Sequence, residues 1–249
     1  MRYLKFYVIS LLILLVNQNS MAQGDKKVGL AFTVSPSASW LAPTNTGYSS
    51  EGSRAGIKYG LLMDFRLFGD DNYSLASGFT MNHLGGKLSE PTYVTNTSGN
   101  VIAARNMSTY KLTYIDVPFA IRLKTNEIGY NIFYGLFGTE LGFNVNAKKE
   151  YSTSYGGTTD ATVTEDVSGD VNLFRTSMIF GAGIERNISG DAYYRIGITY
   201  HNGLNNIMKG NAYAVDGNGN TIVENNEAQQ DKDLSTKLKF IELNLAIVF

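Results

Sequence analysis

Cysteine is missing altogether from this 249-residue chain. That removes disulfides, thiolate metal sites, a cysteine nucleophile and a lipidated cysteine anchor from consideration. Histidine occurs only as His83 and His201, so imidazole chemistry has two candidates. Basic residues are not in excess, with 21 Lys and Arg against 22 Asp and Glu, which gives no electrostatic reason to expect nucleic acid as a partner. Beyond the N-terminal region no run of 18 apolar residues exists to form a spanning helix, so any membrane crossing falls to strands. Proline (4) and charge (17%) are scarce while glycine (26) and tyrosine (16) abound, a balance that suits a β-rich chain.

What is present begins with an export leader. Arg2 and Lys5 precede the apolar run Phe6 to Val16, and Ser20-Met21-Ala22 supplies the small residues a signal peptidase reads. We expect residues 1–22 to be cleaved, leaving 23–249 as one domain. The apolar run is too short to serve as a helical anchor across a core of about 30 Å.

The mature sequence alternates with period two in eight stretches. These are Val28 to Ser35, Ile57 to Leu67, Tyr73 to His83, Tyr110 to Leu123, Tyr130 to Asn146, Val171 to Arg186, Tyr194 to His201 and the closing Lys237 to Phe249. In the fourth, Leu112 and Tyr114 are out of phase with Val117, Phe119 and Ile121, which predicts a β-bulge near Ile115 or Asp116, close to Pro118. Connections alternate between short ("GDDN", "KTNEIG", "NISGD") and long polar ones, with the termini on the short-turn side. A soluble sandwich would not segregate loop lengths onto one end so systematically. The pattern predicts an all-β fold: an eight-stranded antiparallel up-and-down transmembrane β-barrel with long extracellular loops and short periplasmic turns.

The chain resembles the outer membrane protein β-barrel domain family of Gram-negative bacteria that includes PorT-like proteins. The likeness is carried by "YIDVPFAIRLK", "FGAGIE", "YHNGLNNI" and the terminal "LNLAIVF". It implies an outer membrane location and a part in secretion, surface assembly or envelope integrity. A final amphipathic strand ending in Phe249 is similar to the signal that barrel-assembly machinery reads.

Within such a barrel the face opposite the large apolar groups would carry Lys58, Arg66, Arg122, Arg175 and Arg195 with Asp64, Asp116, Glu140, Glu185 and Glu242. An eight-stranded barrel has room only for side chains, so these charges should pair into a plugged ionic network; a narrow ion path is the functional alternative. A lipid-modifying enzyme needs a His near a nucleophile and an acid. Neither histidine has a Ser two residues away, and both read as satisfied rim groups, so the expected role is non-enzymatic and without a cofactor. "FGAGIER" lies inside a strand pattern and reads as a lumen-facing glycine pair, not a dinucleotide fingerprint.

Two loop features remain. Asp216, Asn218, Asn220, Glu224 and Glu227 fall at calcium-loop spacing, although Thr221 stands where that loop needs glycine, so a weak Ca²⁺ site competes with a plain polar turn. Lys111, Lys148, Lys149, Lys237 and Lys239 lie near outer strand ends, where they could meet lipopolysaccharide phosphates at the rim of the outer membrane lipids, or simply be solvated.

Overall fold

The structure is a computed structural model that describes residues 28–190 and 192–249. The expected leader, residues 1–22, lies outside the described residues. Eight long strands are laid down in chain order: β1 (Val28–Pro43), β2 (Arg54–Leu67), β3 (Asp70–Thr95), β4 (Val101–Lys124), β5 (Ile132–Tyr155), β6 (Phe174–Ser189), β7 (Ala192–Gly203) and β8 (Thr236–Val248). Each pairs antiparallel with its sequence neighbour, and β8 returns to β1 with Ala31 opposite Val248 and Pro43 opposite Thr236, so the sheet closes on itself. Closure leaves the ring no unpaired edge, the condition for a sheet to cross lipid. Phe249 completes it: its amide donates to the Leu30 carbonyl at 2.8 Å and its ring meets Phe32 edge-on at 5.9 Å.

The outward row of each strand is apolar over the span a bilayer requires. Phe32, Phe79, Phe137 and Ile198 are among its most exposed members, at 53–63%. The inward row is buried, and only the barrel wall separates the two. Turns at the chain-terminus end are tight. Phe68 and Gly69 both take positive φ between β2 and β3, as a two-residue hairpin of the primed type demands.

Three strands are far longer than the roughly 9–11 residues a spanning strand needs. β3 has 26 residues and β4 and β5 have 24 each. Most of the stretch expected to be a long loop after His83 is therefore strand, turning at 96–100 and rising beyond the membrane. The other outer connections, 44–53, 156–173 and 204–235, fold against this extension.

The expected bulge in β4 is absent. Its even positions face inward throughout, Leu112 and Tyr114 included, and the register shift instead lies in β5, between the Thr113–Asn146 and Tyr114–Asn144 pairs. Leu112 and Tyr114 broke the alternation because the interior itself turns apolar at their height. Pro118 sits where the β3–β4 ladder is interrupted, between Ala76–Ala120 and Thr80–Asp116, so its missing N–H costs no pairing bond. Val171, expected to open the sixth strand, lies outside it and bridges Met208 in the outer cap.

Candidate functional site

The inward rows assemble two charge clusters stacked along the barrel axis. In the outer one, Arg175 donates from Nη2 to Asp116 (2.7 Å) and Glu140 (3.0 Å) and from Nη1 to Ser177 (2.7 Å). Lys58 Nζ lies 2.6 Å from Glu140 and 3.5 Å from Glu242, and Asn82 donates to Asp116 at 2.8 Å. The Arg175 guanidinium is held between the rings of Tyr114 and Phe240, each 5.2 Å from its carbon. In the periplasmic cluster Asp64 bridges Arg122 and Arg195, and Glu185 accepts from Arg195 (2.7 Å) and Lys124 (2.8 Å).

Nine of the ten expected lumen charges are thus brought together. Arg66 is not among them: at the end of β2 its side chain is one-third exposed and pairs with Asp71 of β3 at 2.8 Å, outside the buried network. A residue one step from a tight turn lies beyond the enclosed part of the lumen, which is why Arg66 is left out. Lys124, which the alternation did not assign, reaches Glu185 instead.

Glycines shape the lower cluster. Tyr134 lies between Arg122 and Arg195, 5.4 and 5.7 Å from its ring. A Cβ at Gly183 would come within 2.6 Å of its hydroxyl, and one at Gly197 would collide with it. Gly183 of "FGAGIER" is therefore a lumen-facing residue, as expected, and it makes the seat for this ring.

His201 is not a rim residue. It is 1% exposed, stacked at 3.8 Å on Phe240, with Nδ1 3.1 Å from Glu140 and Nε2 3.4 Å from Glu242. His83 points to the outer wall, where Nδ1 lies 3.2 Å from Thr113 Oγ1.

Above the charges the interior becomes dry. Leu41, Leu84, Leu88, Leu112, Leu238 and Phe240 are at most 1% exposed, and Val167, Val171, Ile207 and Met208 from the outer loops pack onto them. Asn206 anchors that cap. Its amide donates to the carbonyls of Met208 (2.9 Å) and Leu234 (2.5 Å), while its Oδ1 accepts from the amides of Met208 and Thr236. The "YHNGLNNI" segment owes its place to this fold: it ends the strand, pins the loop and drops Ile207 into the barrel.

Beyond the cap, Arg105 of β4 ties the loops to the extended sheet. It donates to the carbonyls of Gly47 (3.0 Å) and Gly219 (2.6 Å) and to Ser89 Oγ (2.8 Å). Buried Glu90 accepts from Ser108 and Tyr110, both at 2.7 Å, and lies 2.6 Å from Lys149. Lys149 thus faces inward, not outward toward lipid, because the β5 register shift reverses the alternation there. Neither hub stands out in the sequence, since each is one polar residue in a stretch that reads as loop.

The calcium-spaced residues form two successive turns. Asp216 Oδ1 accepts the amides of Asn218 (2.9 Å) and Asn220 (2.8 Å), and the Asn220 amide above all holds its carboxyl below the ordinary aspartate range. Glu224 and Glu227 face each other across a second turn at Asn225 and Asn226. Among the described residues no three His, Cys, Asp or Glu side chains are grouped to hold a metal ion. The spacing is satisfied by hairpin geometry.

Residues 17–208 match the family model described as outer membrane protein beta-barrel domain. No curated protein matches the chain. Similar solved structures include Neisserial surface protein A, with 13% identity, TM-score 0.41, and 91% of this chain and 98% of that one covered. Ail, the attachment invasion locus protein of Yersinia pestis, in complex with sucrose octasulfate, gives 14%, 0.38, and 90% and 99%. The outer membrane protease OmpT from Escherichia coli gives 9%, 0.37, and 93% and 99%. With a closed eight-stranded ring, an apolar outer wall and a family model spanning most of its length, the chain belongs to the outer membrane protein β-barrel domain family.

Proposed function

We propose that this outer membrane barrel is a non-enzymatic, non-conducting platform whose working part is the folded extracellular assembly of the β3–β5 extension and the loops 44–53, 156–173 and 204–235. One observation carries the reading: the loops are built into the outer end of the barrel through a dry core and the Arg105 and Asn206 hubs, where a conduit would keep an open mouth. A rigid polar platform above a sealed barrel suits binding a component of surface assembly or secretion, and the completed β1–β8 seam with Phe249 suits recognition by barrel-assembly machinery.

The test is a deletion strain complemented with loop-trimmed variants, the turns at 96–100 and 216–220 shortened. The platform reading expects the trimmed barrels to insert, keep their heat-modifiable gel migration and fail to complement. Full complementation by trimmed barrels, or unitary conductance in planar bilayers, would rule it out.

A lipid-modifying role is the second reading, favoured only by the His83–Thr113 contact on the outer wall. No carboxylate forms an ion pair with His83 among the described residues, so the pair lacks an acid to orient it. Altered lipid A or phospholipid masses in membranes carrying His83→Ala would favour that reading over the platform.

A further inference from the structure

The lipid-facing wall is not uniform. On β6 the outward row reads Phe180, Ala182, Ile184, and small Ala182 stands opposite Gly135 of β5, where a Cβ would meet nothing within 4 Å. Ala182 also lines a groove of about 650 Å³ that runs over β6, β7 and β8 on the outside of the barrel, bounded by Phe180, Ile184, Ile196, Ile198, Tyr200 and Leu243. A second groove of about 590 Å³ continues from Ile196 toward Phe32, Tyr194 and Ile247. Each is lined almost wholly by apolar groups and faces the hydrocarbon.

At the outer end of this groove the chemistry changes abruptly. The outward row of β8 runs Leu245, Leu243, Ile241 and then Lys239 and Lys237. Lys239 is paired in register with Trp40 on one side and Asn202 on the other, and the Trp40 and Tyr200 rings stack across β8 at 6.3 Å. That is an aromatic belt at the membrane–water boundary with two ammonium groups just above it. Among the described residues the lysine ion pairs involve Lys58, Lys111, Lys124 and Lys149, and neither Lys237 nor Lys239 has a carboxylate partner. Two uncompensated cations about two strand residues apart, roughly 7 Å, sit directly over an acyl-sized apolar track.

We propose that the β6–β8 face is a seat for one phosphorylated lipid of the outer leaflet, lipopolysaccharide, with an acyl chain of its lipid A in the Ala182 groove and a phosphate on Lys237 and Lys239. Charge complementarity selects the headgroup, because a lysine ammonium donates hydrogen bonds to phosphate and neither ammonium forms an ion pair among the described residues. The leaflet follows from topology, because these lysines lie at the loop end of the barrel. The seat is independent of the platform reading and rests only on residence in the outer membrane.

The purified, folded barrel in neutral detergent is titrated with lipid A, with dephosphorylated lipid A and with phosphatidylglycerol, and bound lipid is read by native mass spectrometry. Lipid A should be retained by the unaltered chain. Retention should fall roughly tenfold or more in the double variant Lys237→Glu, Lys239→Glu, and dephosphorylated lipid A should bind the unaltered barrel as weakly. Filling the groove with Ala182→Phe should weaken lipid A to a similar degree, and a larger apolar group facing lipid is compatible with insertion. Heat-modifiable migration establishes that each variant is folded, with Ala182→Leu in reserve. Undiminished lipid A retention in either folded variant, or phosphatidylglycerol bound as tightly as lipid A, would overturn the proposal.

Discussion

Two levels of one interior obey opposite rules. Around Arg175 and Arg195 the lumen is filled with charge, and each guanidinium donates to two carboxylates on other strands. A few residues further out, the same inward rows carry Leu112, Leu238 and Phe240, and the space is sealed as in the core of a soluble domain. The charged level gives specificity, because each pairing ties strands distant in sequence, such as β2 to β5 through Lys58 and Glu140. The dry level closes the barrel and supports the loops. Burying ions costs desolvation that pairing only offsets, whereas burying leucine against leucine is favourable outright.

That contrast is most sharply broken at Arg175. Arg175→Leu leaves Asp116 and Glu140 facing each other without their shared cation, and we expect a loss of about 3–5 kcal/mol in urea unfolding from detergent micelles. Replacing the set by Arg175→Met, Asp116→Asn and Glu140→Gln should restore most of it, since Lys58 keeps Glu242 at 3.5 Å as its counter-ion and no carboxylate is left without a cation. If the triple variant were as unstable as the single one, the charged level would owe its stability to shape.

In the dry level, Leu238→Ala should cost about 2–4 kcal/mol, as for other buried leucines, and no partner substitution of charge should rescue it. A smaller effect is expected further out. Arg105→Ala removes three hydrogen bonds from the platform and should loosen it by about 1–3 kcal/mol, seen as faster hydrogen exchange in 44–53 and 211–222 at an unchanged barrel midpoint. A drop in that midpoint would mean that platform and barrel unfold as one. Least of all, Arg66→Ala should change stability by less than about 0.5 kcal/mol, because its pair with Asp71 is at the solvated mouth. A cost like that of Arg175 would place Arg66 back in the network.

The same contrast explains what the sequence disclosed. Alternation placed nine lumen charges correctly, because on these strands polarity and facing coincide: Lys58, Asp64, Arg122 and Glu242 are polar and inward. It failed where they diverge. Leu112 and Tyr114 are apolar and inward, so a rule that equates apolar with outward turned them into a bulge that β4 does not have. The sequence makes His201 look like a rim group because its burial comes from Phe240, Glu140 and Glu242 on other strands. The polar run after His83 has the composition of a loop, yet β3 and β4 pair through it. Arg105, Asn206 and Glu90 act through tertiary contacts that no local pattern encodes. The Asp216 spacing was legible only as two possibilities, and backbone amides take up the carboxylate.

Since the chain has no cysteine of its own, a single introduced thiol reports directly on whether the outer interior is sealed. Leu112→Cys and the loop control Asn218→Cys are treated, in folded barrels, with a water-soluble maleimide that does not cross membranes. The dry cap requires that Asn218→Cys label readily and that Leu112→Cys stay unlabelled until the barrel is unfolded. Labelling of Leu112→Cys at the rate of the loop thiol would reveal an open aqueous path and contradict the sealed barrel.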